Sequence, residues 1–403
     1  MRIALVLLLL ALTGCSGYTR NVLFSDGDRA PAADPSVEAL YYDRNGDLYP
    51  SGAVPVETRA LSTNRRGRSE LELRVAPYFE DQRREGGPAW TALLAEAGVE
   101  DPGPTTDFGP VWAAVQDGLR DRHVEAVDRR TRRPDGTRRP LVVLIHGFNN
   151  VPAEAAEWYG AARGLVRGKA PDAVFMELHW DGLTSNRPPL AWPAAQYNFP
   201  LVGLSFRRVL NALDPSIPVR VITHSSGGPL ISSTLGDASA PLPSQDATYA
   251  EYRRRAAATS GPDRPPNPDD LRVAMIVPAM SSVTFANYSR TSPGPDRLIL
   301  GLNPRDGVTG KGGFPCTLLG STCLSADPQL YCRDVAPVLS GIPNVRPYVF
   351  DFSRSERNSG YLWFESHGML AYMERDDMPR VLDLLFNDAS MEGGEFSQIC
   401  EDR

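Results

Sequence analysis

The chain has only two lysines, Lys169 and Lys311, so nearly all of its positive charge is arginine. Its formal charge is −7 over 403 residues, and that acidic balance gives no pointer to a nucleic-acid partner. After residues 3–12 no apolar run is long enough to span a bilayer, and that run, at about ten residues, is itself too short to cross as a helix. No dinucleotide-binding glycine fingerprint occurs. Nor is there a phosphate loop: Gly310-Lys311 is followed by Gly312 where Ser or Thr is needed, and Arg305 stands where the first glycine belongs. Internal repeats are absent. Cysteines and histidines number five each, few enough that the chemistry open to each can be weighed singly.

What is present centres on Thr223-His224-Ser225-Ser226-Gly227, which follows the strand-like run 219–222 and precedes a second glycine, Gly228. A serine on a tight strand-to-helix turn is forced into a strained backbone, and its neighbours two before and two after must be small. Thr223 and Gly227 meet that demand, with Thr in place of the more usual glycine. Upstream, the continuous apolar run 141–145 ends directly in His146-Gly147-Phe148-Asn149-Asn150. A strand ending in His-Gly-x beside an elbow serine supplies one backbone N–H of an oxyanion hole, and the residue after the serine supplies the other. Phe148 and Ser226 are the expected donors.

A nucleophilic serine needs a base, and the base needs an orienting acid. Downstream of Ser225 the single histidine is His367, in Ser366-His367-Gly368, after the strand-like run 345–352 and before the helical pattern 369–386. The acid is expected in the turn Asn303-Pro304-Arg305-Asp306-Gly307 that follows the strand-like run 297–302, which points to Asp306. Asp351 and Glu365 compete. Asp351 lies in or at the end of its strand, and Glu365 is too near His367 in sequence to reach its far nitrogen easily.

With these residues in view, the chain resembles the α/β-hydrolase superfamily, bacterial esterase or lipase-like members above all, from about Leu141 to the end. The resemblance implies an α/β fold with a doubly wound, mostly parallel sheet, a Ser225–His367–Asp306 triad and cofactor-free acyl transfer on an ester or lipid. It does not imply a particular substrate.

At the start, Arg2, the apolar residues 3–12 and Leu12-Thr13-Gly14-Cys15 resemble the signal and lipobox of bacterial lipoproteins. That resemblance implies removal of residues 1–14, lipidation of Cys15 and a membrane partner at the bacterial cell envelope, the outer membrane if the source is Gram-negative, since Ser16 follows the cysteine. Two or three acyl chains at roughly 0.8 kcal/mol per buried methylene make a stable anchor. The remaining Cys316, Cys323, Cys332 and Cys400 are even in number and expected to form two disulfides, with the pairing open.

Residues 15–69, rich in Pro, Gly, Asp and Arg, read as a tether with a strand-like patch at 39–42 that could add an edge strand. Residues 70–403 read as the domain. A strand is expected over 70–78 from Leu71, Leu73 and Val75, then amphipathic helices over 89–97 and 109–127. A basic connector, 128–140, follows, its six arginines facing solvent or lipid headgroups. Strands and helices then alternate, as in a doubly wound sheet. Lid-like insertions are expected at 236–270 and 309–344, and Trp192 and Tyr197 lie in an aromatic loop, 180–199, that could line an acyl pocket.

Two other readings stand beside this one. His146, His179 and His224 each end a predicted strand, with Asp181 nearby, and such a set could hold a zinc ion that activates water; the hydrolase reading calls for no metal. A non-catalytic envelope lipoprotein could also keep the fold.

Overall fold

The computed structural model describes residues 24, 29, 34–52, 75–103, 105–182, 198–236, 268–289, 294–310, 322–343, 345–354, 367–387 and 400. Seven strands form one sheet: β1 (Val37–Tyr42), β2 (Leu141–Ile145), β3 (Val174–Trp180), β4 (Val219–His224), β5 (Leu271–Ile276), β6 (Arg297–Leu302) and β7 (Arg346–Asp351). Their spatial order is β1-β3-β2-β4-β5-β6-β7, and each neighbouring pair among the described residues runs parallel. Strands β2 to β6 are buried along their whole length. Parallel strands covered on both faces need apolar side chains at nearly every position, hence runs such as Leu141-Val142-Val143-Leu144-Ile145.

Helices cover both faces. They are α1 (Val75–Glu85), α2 (Pro88–Ala97), α3 (Phe108–Thr131), α4 (Pro152–Lys169), α5 (Phe199–Ala212), α6 (Gly227–Leu235), α7 (Ser282–Ser289), α8 (Pro328–Leu330), a π-helical turn Tyr331–Val335, α9 (Ala336–Ser340), α10 (Met369–Met373) and α11 (Met378–Phe386). Alternate residues of each strand feed two separate cores. Val143, Ile145, Val221 and Val273 pack with Val115 and Leu119 of α3, Phe206 of α5 and Leu230 of α6. Val142, Leu144, Ile222 and Ala274 pack with Trp158 and Tyr159 of α4 and Val381 and Leu385 of α11. From β2 the chain proceeds to β3 on one side, whereas from β4 it proceeds to β5 on the other. Loops leaving β2 and β4 therefore diverge, which makes this the switch point of the sheet's carboxyl edge, the place where open α/β sheets bind ligands.

Three expectations need revision. Residues 75–85 form helix α1, not the end of a strand: Val75, Phe79 and Arg83 are its buried face, a spacing of four, and Pro77 sits in the first turn, where its missing N–H costs no bond. Residues 70–74 lie outside the described ones. The pattern 369–386 is two helices, because Pro379 at the start of α11 cannot continue α10. The edge strand expected at 39–42 is present as β1, paired with β3, but residues 34–52 belong to the domain and not to a tether, since Leu40, Tyr42 and Leu48 are buried in it.

Within the 128–140 connector, Arg129 and Arg132 stay exposed to solvent, and several of the arginines pair with the protein's own carboxylates. Arg138 meets Asp128 at 2.7 Å, Arg132 meets Asp128 at 2.9 Å and Arg133 pairs with Asp172. Of the aromatic loop, 183–197 lies outside the described residues, as do 237–267 and 311–321 of the two expected insertions.

Candidate active site

Ser225 leaves β4 with φ of +53°, a left-handed conformation that costs a non-glycine residue roughly 1–2 kcal/mol. Neighbouring backbone holds it there. Its N–H donates to the Ile276 carbonyl at 3.0 Å, and its carbonyl accepts from Gly228 and Ala279, each at 3.0 Å. A Cβ at Gly227 would sit 2.8 Å from the Ile145 carbonyl oxygen, 3.1 Å from that of His146 and 3.2 Å from Thr223 Cβ. Thr223 and Gly227 thus face each other across the turn, and threonine is tolerated at the first position because the second has no side chain.

Three side chains from three loops meet at this turn. His367 Nε2 is 2.9 Å from Ser225 Oγ, and His367 Nδ1 is 2.6 Å from Asp306 Oδ2. Asp306 is 2 % exposed. Its Oδ1 accepts from the N–H groups of Val308 and Thr309 at 2.9 and 3.0 Å, and its Oδ2 also accepts from the Tyr372 hydroxyl at 2.8 Å. Burial pushes this carboxyl upward. The charge and hydrogen bond of His367, with the Thr309 N–H and the Tyr372 hydroxyl, outweigh burial and hold it well below the usual carboxylate range. It stays ionised. Asp351, by contrast, caps the turn after β7, where Oδ1 accepts from the Ser353 N–H at 2.9 Å. Glu365 lies outside the described residues.

The loop after β2 presses on the serine: a Cβ at Gly147 would be 3.0 Å from Ser225 Cβ and 3.3 Å from His224 Nδ1. His146 fixes this loop with both ring nitrogens. Nε2 accepts from the Trp180 N–H at 3.1 Å, and Nδ1 donates to the Gly147 carbonyl at 2.8 Å, which defines the neutral Nδ1–H tautomer. Burial, and then the nearby His179, push this imidazole down to about 3. Asn150 Nδ2 donates to the same Gly147 carbonyl at 3.0 Å. In a trans peptide the carbonyl and the following N–H point opposite ways, so fixing the Gly147 oxygen also fixes the direction of the Phe148 N–H. Ser226, the other expected donor, is the N-cap of α6, where backbone N–H groups lack helical acceptors.

Sequence reasoning gave His224 no role in the triad, yet its Nε2–H donates to the His367 carbonyl at 2.7 Å and ties the base to the elbow. Burial, and then the adjacent His367, push His224 down to about 3 and keep it neutral. Tyr372 and its partner Asn303 were also not foreseen: Asn303 Nδ2 donates to the Tyr372 hydroxyl at 2.7 Å. His224 precedes the elbow serine and was open to suspicion. Tyr372 had no sequence signal beyond lying one helical turn past His367.

His146, His179 and His224 are not assembled as ligands. His146 and His224 spend ring nitrogens on backbone groups, and among the described residues no three of His, Cys, Asp and Glu are grouped to hold a metal ion. Cys332 and Cys400 are joined by a disulfide, and Cys323 is disulfide-bonded as well. Cys15 and Cys316 lie outside the described residues.

A strained serine, a histidine between it and a buried carboxylate, and a fixed loop of backbone amides form a site able to activate a hydroxyl and stabilise an oxyanion. Comparison of the chain with protein-family models, curated proteins and solved structures gave no match.

Proposed function

We propose that this chain is a serine hydrolase of the α/β-hydrolase type that cleaves carboxylic esters through an acyl-enzyme. The observation that carries the reading is the continuous relay Ser225 Oγ–His367 Nε2 at 2.9 Å and His367 Nδ1–Asp306 Oδ2 at 2.6 Å on a serine with φ of +53°. In this reading His367 takes the Ser225 proton as Oγ attacks the ester carbonyl, and Asp306 holds the imidazole in the Nδ1–H tautomer. The N–H groups of Phe148 and Ser226 receive the oxyanion, His367 returns the proton to the leaving alcohol, and water activated by His367 then releases the acid. Besides the ester and water, each step uses only side chains and backbone of this chain.

The lipobox at Cys15 supports a location at the cell envelope, with the lipid as anchor and the domain beside the membrane. Among the described residues no helix is long and apolar enough to cross a membrane, and the anchor does not need one. The test is hydrolysis of p-nitrophenyl esters from two to sixteen carbons by the purified protein and by Ser225→Ala. Hydrolysis of at least one ester, lost in the variant by on the order of 10⁶ in kcat, is expected. No hydrolysis of any ester, or a fully active variant, would overturn the reading and favour a non-catalytic envelope protein or another chemistry.

A further inference from the structure

Among the described residues Asp306 receives four hydrogen bonds at its side chain, and the one from Tyr372 differs from the two backbone bonds in where it lands. Two backbone N–H groups occupy Oδ1, whereas the Tyr372 hydroxyl shares Oδ2 with His367 Nδ1. The direction of the hydroxyl is settled by Asn303. An amide nitrogen only donates, so Asn303 Nδ2, at 2.7 Å, takes a lone pair of the Tyr372 oxygen and leaves its proton for the carboxylate. The phenol cannot easily turn away. Tyr372 is buried, Phe352 packs edge-on to its ring at 5.5 Å, and the Arg375 guanidinium lies 4.3 Å from the ring centre.

We infer that Tyr372 is a positioning residue for the Asp306–His367 pair: its hydroxyl fixes the oxygen that receives the imidazole N–H and limits how tightly that oxygen holds the imidazolium. This rests on the proposed hydrolase reading. Two donors on one carboxylate oxygen compete for its electron density, so each weakens the other. With Tyr372 in place, Asp306 orients His367 without trapping the proton that must pass to the leaving alcohol. Among the described residues, the charged and titratable groups that face this pair are His367 itself, His224 from the end of β4, whose ring centre is 6.0 Å from that of Tyr372, and Arg375 beyond α10, itself flanked by Asp377. His224 is neutral, and burial followed by the Asp306 charge raises the Tyr372 phenol well above its ordinary value, so neither changes charge across the working range.

Tyr372→Phe keeps the ring and removes only the hydroxyl. Two readouts are expected to move together. The acid limb of kcat/KM on a reactive ester should shift upward by roughly half a pH unit, because the imidazolium gains a stronger partner, with a plateau loss of about three- to tenfold. The His367 Nδ1 proton, followed by NMR without substrate, should move downfield. Incorporation of 3-fluorotyrosine at 372, a more acidic donor of nearly the same shape, should move both readouts the other way and serves if the phenylalanine variant does not fold. Merely structural support would lower activity at every pH and leave the limb in place, and that result, with an unmoved resonance, overturns the inference. The resonance is read without turnover, so the two failures are separable. A wild type that hydrolyses no ester while the resonance shifts as expected sinks the hydrolase reading alone, and active enzyme with limb and resonance unmoved sinks Tyr372 alone.

Discussion

Replacement of Asp306 by asparagine tests the geometry more sharply than removal of the side chain. An asparagine that keeps its oxygen toward the Val308 and Thr309 N–H groups must point its NH₂ at His367 Nδ1 and the Tyr372 hydroxyl, where Oδ2 now accepts at 2.6 and 2.8 Å. His367 then keeps an interaction only as the other tautomer, with Nδ1 accepting and Nε2 carrying the proton. That nitrogen, 2.9 Å from Ser225 Oγ, becomes a donor to the serine and can no longer take its proton. In the best-studied triad the equivalent change costs about 10⁴ in kcat, about 5.5 kcal/mol at 1.36 kcal/mol per decade. The Tyr372 hydroxyl, which already accepts from Asn303, is left with a proton and no acceptor, at about 1–3 kcal/mol of stability. Asp306→Asn should therefore lose about four decades of kcat/KM on a short-chain ester and a few degrees of Tm while remaining folded. The comparison is Asp351→Asn, whose carboxylate accepts from the Ser353 N–H and hydroxyl in the turn after β7 and does not touch His367. A variant at 306 within tenfold of wild type, or the larger loss at 351, would refute the assignment of the acid.

Other consequences follow from burial and connectivity. His146 and His224 are held neutral in the fold, down to about 3, whereas in the unfolded chain they titrate near 6.5. The unfolded state binds more protons below that value, so stability should fall as pH drops from about 6.5 towards 3, and Tm measured across pH 4–8 should show the loss. Asp306 adds to the loss only at the acid end of that range, because a depressed carboxyl gives up its contribution as pH falls through and below the ordinary carboxylate pKa of about 4. The Cys332–Cys400 bridge closes a separation of 68 residues, so Cys332→Ser should lower stability by roughly 2–4 kcal/mol in urea melts, and a reductant, which also opens the disulfide at Cys323, should lower wild-type stability by at least as much. Cys15→Ser should keep short-chain esterase activity, but a chain begun at residue 70 should not fold stably: it lacks β1 and the buried Arg44–Asp181 pair at 3.3 Å. Activity and a sharp melt in that truncation would mean the edge strand is dispensable.

The central strands were legible because a parallel strand buried on both faces leaves a continuous apolar run, and the runs read at 141–145, 219–222 and 297–302 fall in β2, β4 and β6. The meeting of Ser225, His367 and Asp306 was foreseeable for a related reason: each follows a strand and so emerges at one edge of the sheet. Helix α1 was misjudged because three alternating residues, 71, 73 and 75, are too short a run to define a period, and its buried face begins only where that alternation ends. The division of 369–386 was written in Pro379 and overlooked in favour of the apolar spacing around it. Tyr372, Asn303 and the inward hydrogen bonds of His146 and His224 depend on which loops touch in space. Residue spacing along one segment carries no record of that. His146 shows the difference well: as a residue ending a strand it fitted a metal ligand, and only its bonds to Trp180 and Gly147 give it the task of aiming a peptide group.

The most direct measurement is covalent labelling of the full-length protein with a fluorophosphonate, read by intact mass and then by peptide mapping. One adduct per chain, on the peptide that carries Ser225, absent in Ser225→Ala and strongly slowed in His367→Ala, is the result this account predicts. Equal labelling of the Ser225→Ala protein, or esterase activity that a chelator abolishes while the probe leaves the wild type unmodified, would contradict it.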